Sequence, residues 1–165
     1  MNDILTIDRF NKMTGQVTLH PLVTLADLAD DAPAEVLRMP CDFYALICRR
    51  SCGHTGAVSR CSLRLVNPGE IFELPTAACR RTCGYGGVLF HPDLLCDTSL
   101  EQEITDYPCR CRCSGELTEK ESETIFGCLR EIRRELHHAI DRYSSTIIVS
   151  HIELLLNYCT RFCSD

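Results

Sequence analysis

Cys109-Arg110-Cys111-Arg112-Cys113-Ser114-Gly115-Glu116-Leu117-Thr118-Glu119-Lys120-Glu121 is where the chain changes its periodicity. Up to Cys113 the residues alternate strictly, so in a strand three thiols share one face and two guanidinium groups the other. Past Gly115 the period becomes helical. Thr118 with Glu121 three residues later is a capping-box signature, and Ile125, Leu129, Ile132, Leu136 and Ile140 then trace one apolar stripe. Strands before this point and helices after it place the chain in the α+β class.

Upstream, short β-like runs alternate with turn residues: Leu22 to Leu25, Phe43 to Cys48, Val58 to Val66, Ile71 to Leu74, and Gly87 to Phe90. Several short strands punctuated by Gly and Pro predict an antiparallel sandwich or barrel. Asn67-Pro68-Gly69-Glu70 predicts a tight turn between paired strands, with Pro fixing φ and Gly supplying the positive φ that follows. Leu100, Ile104 and Tyr107 predict a short helix ahead of the alternating Cys/Arg strand.

Downstream, a second long helix is predicted from about Ser145, joined to the first by the short link Asp141 to Ser144, so the two pack antiparallel. Ile148, Ile152, Leu155, Leu156, Cys159 and Phe162 make it apolar over a wide arc. Such an arc touches more than one neighbour, either the barrel or another subunit. The expectation is a homodimer through Ile148, Ile152, Leu155, Leu156 and Cys159. Two regions follow: a barrel over residues 1–114 and a helical segment over residues 115–165.

Thirteen cysteines in 165 residues, with no tryptophan, set a second question. Disulfide-stapled secreted domains are usually shorter, and a chain of this length buries an ordinary core without staples. The first residues, Met1-Asn2-Asp3-Ile4-Leu5-Thr6-Ile7-Asp8, are acidic where a secretory leader is basic, so a reducing cytoplasm with mostly free thiols is expected. The best apolar run, Thr146 to Tyr158, contains His151 and Glu153 and falls short of the ~20 residues a membrane span needs. A formal net charge of -6 argues against this chain itself gripping nucleic acid.

The cysteine spacings match no standard zinc module. Cys48 and Cys52 are four apart, as are Cys79 and Cys83, and no C-x2-C pair occurs. Cys109 and Cys113 would stand about 13 Å apart on one strand face, too far to share an ion without a bend. Small buried hydrophobes are the plainer role. His54, His91, His137 and His138 show no ligand spacing such as H-x-H or H-E-x-x-H. Gly84-Tyr85-Gly86-Gly87 precedes a strand where a phosphate loop would precede a helix, and no G-x-S-x-G elbow is present. Acidic pairs such as Asp30-Asp31 and Glu101 with Glu103 fall in loop or helix-start positions. Neither an enzyme nor a metal or cofactor is expected.

Leu19-His20-Pro21-Leu22-Val23-Thr24, Phe43-Tyr44-Ala45-Leu46, Val66-Asn67-Pro68-Gly69-Glu70 and Gly84 to Leu95, the last containing Leu89-Phe90-His91-Pro92-Asp93-Leu94, occur in that order. Followed by Glu135 to Asp141 and Ile152 to Phe162, they resemble the effector-binding N-terminal domain of AraC-type transcription regulators. The resemblance covers almost the entire chain. It implies a cupin-like barrel holding a small-molecule effector, two long helices forming a dimer surface, and helix-turn-helix motifs beyond Asp165 that would carry the DNA contact. Tyr44, Arg64, Glu70, Tyr85 and His91 are the candidate polar residues of the barrel pocket. The strands around Asn67-Pro68-Gly69 lack the clustered histidines of catalytic cupins. Two alternatives stay open: a thiol-based sensor of a soft metal or oxidant on the same scaffold, and a stand-alone cupin enzyme.

Overall fold

Alternation along each strand sorts the side chains onto two faces, and each face is covered by its own layer in the computed structural model, which describes residues 3–26, 37–51, 60–74, 85–107 and 117–163. The central layer is an antiparallel sheet in the order β1 (Val23–Leu25), β6 (Tyr85–Phe90), β3 (Tyr44–Ser51), β4 (Arg60–Val66). A second sheet pairs β2 (Leu37–Pro40) with β5 (Ile71–Leu74). One face of the central sheet presents Ala45, Ile47, Val66 and Leu89 to Leu37, Phe72 and Leu74 of the small sheet. The opposite face presents Leu46, Cys48, Leu63, Leu65, Val88 and Phe90 to two long helices, α3 (Glu119–Leu136) and α4 (Ser144–Cys163). The chain is therefore mixed α+β, with antiparallel strands in two sheets.

The expected closed barrel is not formed. Among the described residues the small sheet stays separate from the central one. Its strands are four residues long, and Pro40 at the end of β2 has no N–H to extend a ladder. Aromatic rings fill the space between the sheets instead. Phe10, Phe43 and Phe72 are all fully buried, and Phe72 meets the other two edge-on with centroids at 5.8 Å and 5.6 Å. Phe10 comes from α1 (Ile7–Thr14), a helix that the apolar periodicity does not reveal.

The turn at residues 67–70 forms as its residues dictate: Gly69 has φ 89°, and Glu70 N–H donates to the Asn67 carbonyl at 3.0 Å. It does not join paired strands, however. β4 lies in the central sheet and β5 in the small one, so this turn carries the chain from layer to layer.

α3 begins where the capping box puts it. Thr118 Oγ1 accepts from Glu121 N–H at 3.1 Å and donates to Glu121 Oε1 at 3.0 Å. The helix ends at Leu136, one turn before Ile140, which is 62% exposed and not part of the buried stripe. The reason lies in the next helix start: Asp141 Oδ1 accepts from Tyr143 N–H at 2.8 Å while Ser144 Oγ accepts from Asp141 N–H at 2.9 Å. That reciprocal pair fixes a non-helical link and swings Ile140 into water. A short helix α2 (Leu100–Glu103) continues as a single 3-10 turn over Ile104–Asp106, with Leu100 and Ile104 buried as their spacing predicts. The strand expected over Cys109, Cys111 and Cys113, along with Cys52, His54, Cys79, Cys83 and Asp30-Asp31, lies outside the described residues.

The expected dimer residues are core residues of this chain. Ile148 is 1% exposed, Ile152 and Leu155 0%, Leu156 2% and Cys159 5%, all packed against the central sheet and α3. The wide apolar arc of α4 exists because the helix is covered on two sides by its own chain. Among the described residues, no helix is long and apolar enough to cross a membrane.

Candidate functional site

Where the two sheets part, a cavity of about 210 Å3 opens between them. Ile47, Val66 and Phe72 form its apolar wall, and Arg49, Arg64, Glu73 and Tyr85 supply its polar groups. Strand register explains why these residues meet. Arg64 lies opposite Ile47 in the β3/β4 ladder and Arg49 lies opposite Tyr85 in the β3/β6 ladder, so Arg49, Arg64 and Tyr85 project from one face of the sheet. Diagonal neighbours such as Arg49 and Arg64 have side chains rooted about 7–8 Å apart. Glu73 lines the cavity from β5, where it is exposed between the buried Phe72 and Leu74.

Two of the five candidate pocket residues, Arg64 and Tyr85, therefore come together, and three lie elsewhere. Tyr44 points to the helix-facing side, where it stacks on Phe90 with centroids at 5.4 Å. Glu70 belongs to the interlayer turn, its Oε2 accepting from Asn67 N–H at 3.0 Å. His91 caps a single 3-10 turn at Pro92–Leu95: its Nδ1 accepts from Asp93 N–H at 3.1 Å, and its Nε2 stands 3.8 Å from Asp42 Oδ2. The sequence reading did not include Arg49 and Glu73. Arg49 could have been found by continuing the alternation of Ala45 and Ile47 past Cys48, whereas Glu73 joins through a pairing of layers that no local pattern encodes.

In the cavity two guanidinium groups outnumber one carboxylate, a tyrosine hydroxyl adds a donor, and a planar guanidinium forks onto a carboxylate or phosphate with two parallel hydrogen bonds. No serine, cysteine or histidine lines it among the described residues. Cys41, Cys48, Cys128 and Cys159 are buried in the two core clusters, and Cys96 is exposed. Burial pushes the Cys41 and Cys128 thiols up from their ordinary pKa, and Cys41 Sγ donates to the Phe43 carbonyl at 3.3 Å. Cys96 is raised as well, by partial desolvation and then by Glu101, Asp93 and Asp97. None of these three is poised as a thiolate. Among the described residues no three His, Cys, Asp or Glu side chains gather as a metal ion would require.

No protein-family model matches this chain, and no curated protein matches it in sequence.

Proposed function

We propose that this chain is the ligand-sensing and self-associating half of an AraC-type transcription regulator. The cavity between the sheets is the observation that carries the proposal. It is small, it joins two arginines, a glutamate and a tyrosine to an apolar wall, and it opens between the sheets; the resemblance to an effector-binding domain makes such a pocket the place for a ligand. An effector that fits is a small polar molecule bearing an acidic group, with Arg49 and Arg64 taking the acid and Glu73 or Tyr85 a hydroxyl or amine. The chain acts by binding, with no bond made or broken. DNA is held by a region joined to this one, and the acidic balance of the chain supports that division of labour.

Self-association uses the outer face of α4. Ile147 and Leu154 stand one heptad apart, 38% and 44% exposed, with half-buried Tyr158 beyond them. A stripe of this period on a 20-residue helix is complementary to a second copy of itself, and a two-fold pairing covers both copies at once.

A thermal-shift screen of small organic acids, amino acids and sugar acids tests the effector site. A hit should stabilise the wild-type chain and lose at least tenfold in affinity on Arg64→Gln or Arg49→Gln. A hit whose binding is indifferent to both substitutions would remove the cavity from the proposal.

A further inference from the structure

We propose that Gly86 and Gly87 of β6 form a coupling point through which occupancy of the cavity between the sheets is transmitted to α3, an inference that rests on the reading of that cavity as the effector site. Alternation puts Gly86 on the helix-covered face of the central sheet and Gly87 on the inter-sheet face. Both are buried. At these two positions β6 has no side chain, and its neighbours on either face rest on its backbone.

The contacts on the two faces are close. A Cβ at Gly87 would stand 2.6 Å from Ile47 Cδ1 and 2.7 Å from the Leu46 carbonyl oxygen. Ile47 lies directly opposite Gly87 in the β3/β6 ladder and forms part of the apolar wall of the cavity. On the other face, a Cβ at Gly86 would stand 2.8 Å from Phe126 Cε1 and 3.4 Å from Leu129 Cδ1, both on α3. A cavity-wall residue and a helix residue therefore meet consecutive residues of one strand from opposite sides. Tyr85, one residue earlier, lines the cavity as well as a hollow beneath α3.

That hollow lets the helix side respond. It measures about 260 Å3, and Gly86, Gly87, Phe126 and Leu129 all line it. The Phe126 ring is half-buried, so it has room to turn where a ring packed on every side has none. α3 shares its core with α4: Ile125, Leu129 and Ile132 pack in one cluster with Ile148, Ile152 and Leu155. A ligand seated against Ile47 and Tyr85 thus presses on a stretch of β6 against which α3 rests. Coupling between two sites is reciprocal, so a push from the helix side must reach the cavity.

The chain has six phenylalanines, and biosynthetic labelling with para-fluorophenylalanine gives each a fluorine resonance. Ile47→Val removes the Cδ1 that overhangs Gly87. It should move the Phe126 resonance by more than its linewidth and leave those of Phe90 and Phe162, also on the helix side, in place. Gly86→Ala sets a methyl against Phe126, and it should move both Phe126 and, across the sheet, Phe72 of the cavity wall. The coupling is overturned by a Phe126 resonance unmoved in Ile47→Val, or by Phe90 and Phe162 moving as far as Phe126. A Phe72 resonance unmoved in folded Gly86→Ala overturns it too; should that variant not fold, Ile47→Val decides. Neither variant needs an effector. An acid that binds through Arg64 and leaves the Phe126 resonance in place removes the coupling and keeps the effector site. A screen without a hit removes the effector site and leaves both expected resonance shifts standing.

Discussion

His20 shows how one side chain can join layers and record pH. Its Nδ1 accepts from Leu22 N–H at 3.1 Å, which requires the lone pair there and leaves the proton on Nε2, 3.4 Å from Ser145 Oγ. The ring thus ties the segment entering β1 to the first turn of α4. It is buried, and burial lowers its pKa from the ordinary 6.5. Above that value the ring is neutral in folded and unfolded chains alike, and it contributes no pH dependence. As pH falls below 6.5 the unfolded chain takes up a proton that the folded chain resists, so stability declines until the pH passes the folded pKa. Urea unfolding at pH 8 and pH 5 should show a larger acid loss for the wild type than for His20→Asn. Equal losses would mean that His20 carries none of the acid sensitivity. Little of this was legible in the sequence, where His20 is one histidine before a proline. Its partners, Leu22 and Ser145, are 2 and 125 residues away, and the second of these distances is invisible to local pattern.

Elements whose partners are local were legible, and those fixed by distant contacts were not. The capping box of α3, the hydrogen bonds of Asp141 with Tyr143 and Ser144, and the turn at residues 67–70 each depend on residues within four positions of one another; the cap forms as read, whereas the turn joins two layers instead of paired strands and α3 ends before Ile140. α1 was hidden because its buried face carries Asn11 and Thr14 beside Ile7 and Phe10. Those polar groups are satisfied in the interior, Thr24 Oγ1 donating to Asn11 Oδ1 at 2.8 Å and Thr14 Oγ1 to the Phe10 carbonyl at 2.7 Å. β2 was hidden because Leu37-Arg38-Met39-Pro40 is too short and mixed to show alternation. The apolar arc of α4 was visible, but which part of it meets the chain's own core depends on the sheet beneath. Leu155 and Leu154 are adjacent in sequence and opposite in fate, 0% and 44% exposed. Leu155→Ala should cost about 2–5 kcal/mol of stability, and a carboxylate there should prevent folding. Leu154→Glu should leave melting within about 0.5 kcal/mol of wild type. If the outer face of α4 pairs two copies, Leu154→Glu yields a folded monomer by size-exclusion chromatography with light scattering. An unmodified chain that is monomeric at high micromolar concentration would remove the pairing.

At the scale of the molecule, alternation puts Arg64 and Tyr85 on one sheet face, because faces follow from period two. It could not say whether the sheet closes, since closure depends on which edge strands pair. The separate small sheet then determines how much space remains beside those residues: its Phe72 packs with Phe10 and Phe43 between the layers and leaves the cavity at one end. The charge of the whole chain was legible directly. With 17 Lys and Arg against 23 Asp and Glu, the long-range field repels a polyanion. Release of counterions from DNA requires several cations laid against successive phosphates, and the overall acidic balance works against that. The 165-residue chain alone should therefore bind a double-stranded fragment at physiological salt no more tightly than an acidic control protein of equal size. Fluorescence anisotropy across a salt series checks this: the expected result is no saturable signal at any concentration below about 10⁻⁴ M, the weak end of ordinary non-specific binding. Saturable binding that weakens steeply with salt would show that the chain carries a DNA surface of its own, and the separation of sensing from DNA contact would have to be abandoned.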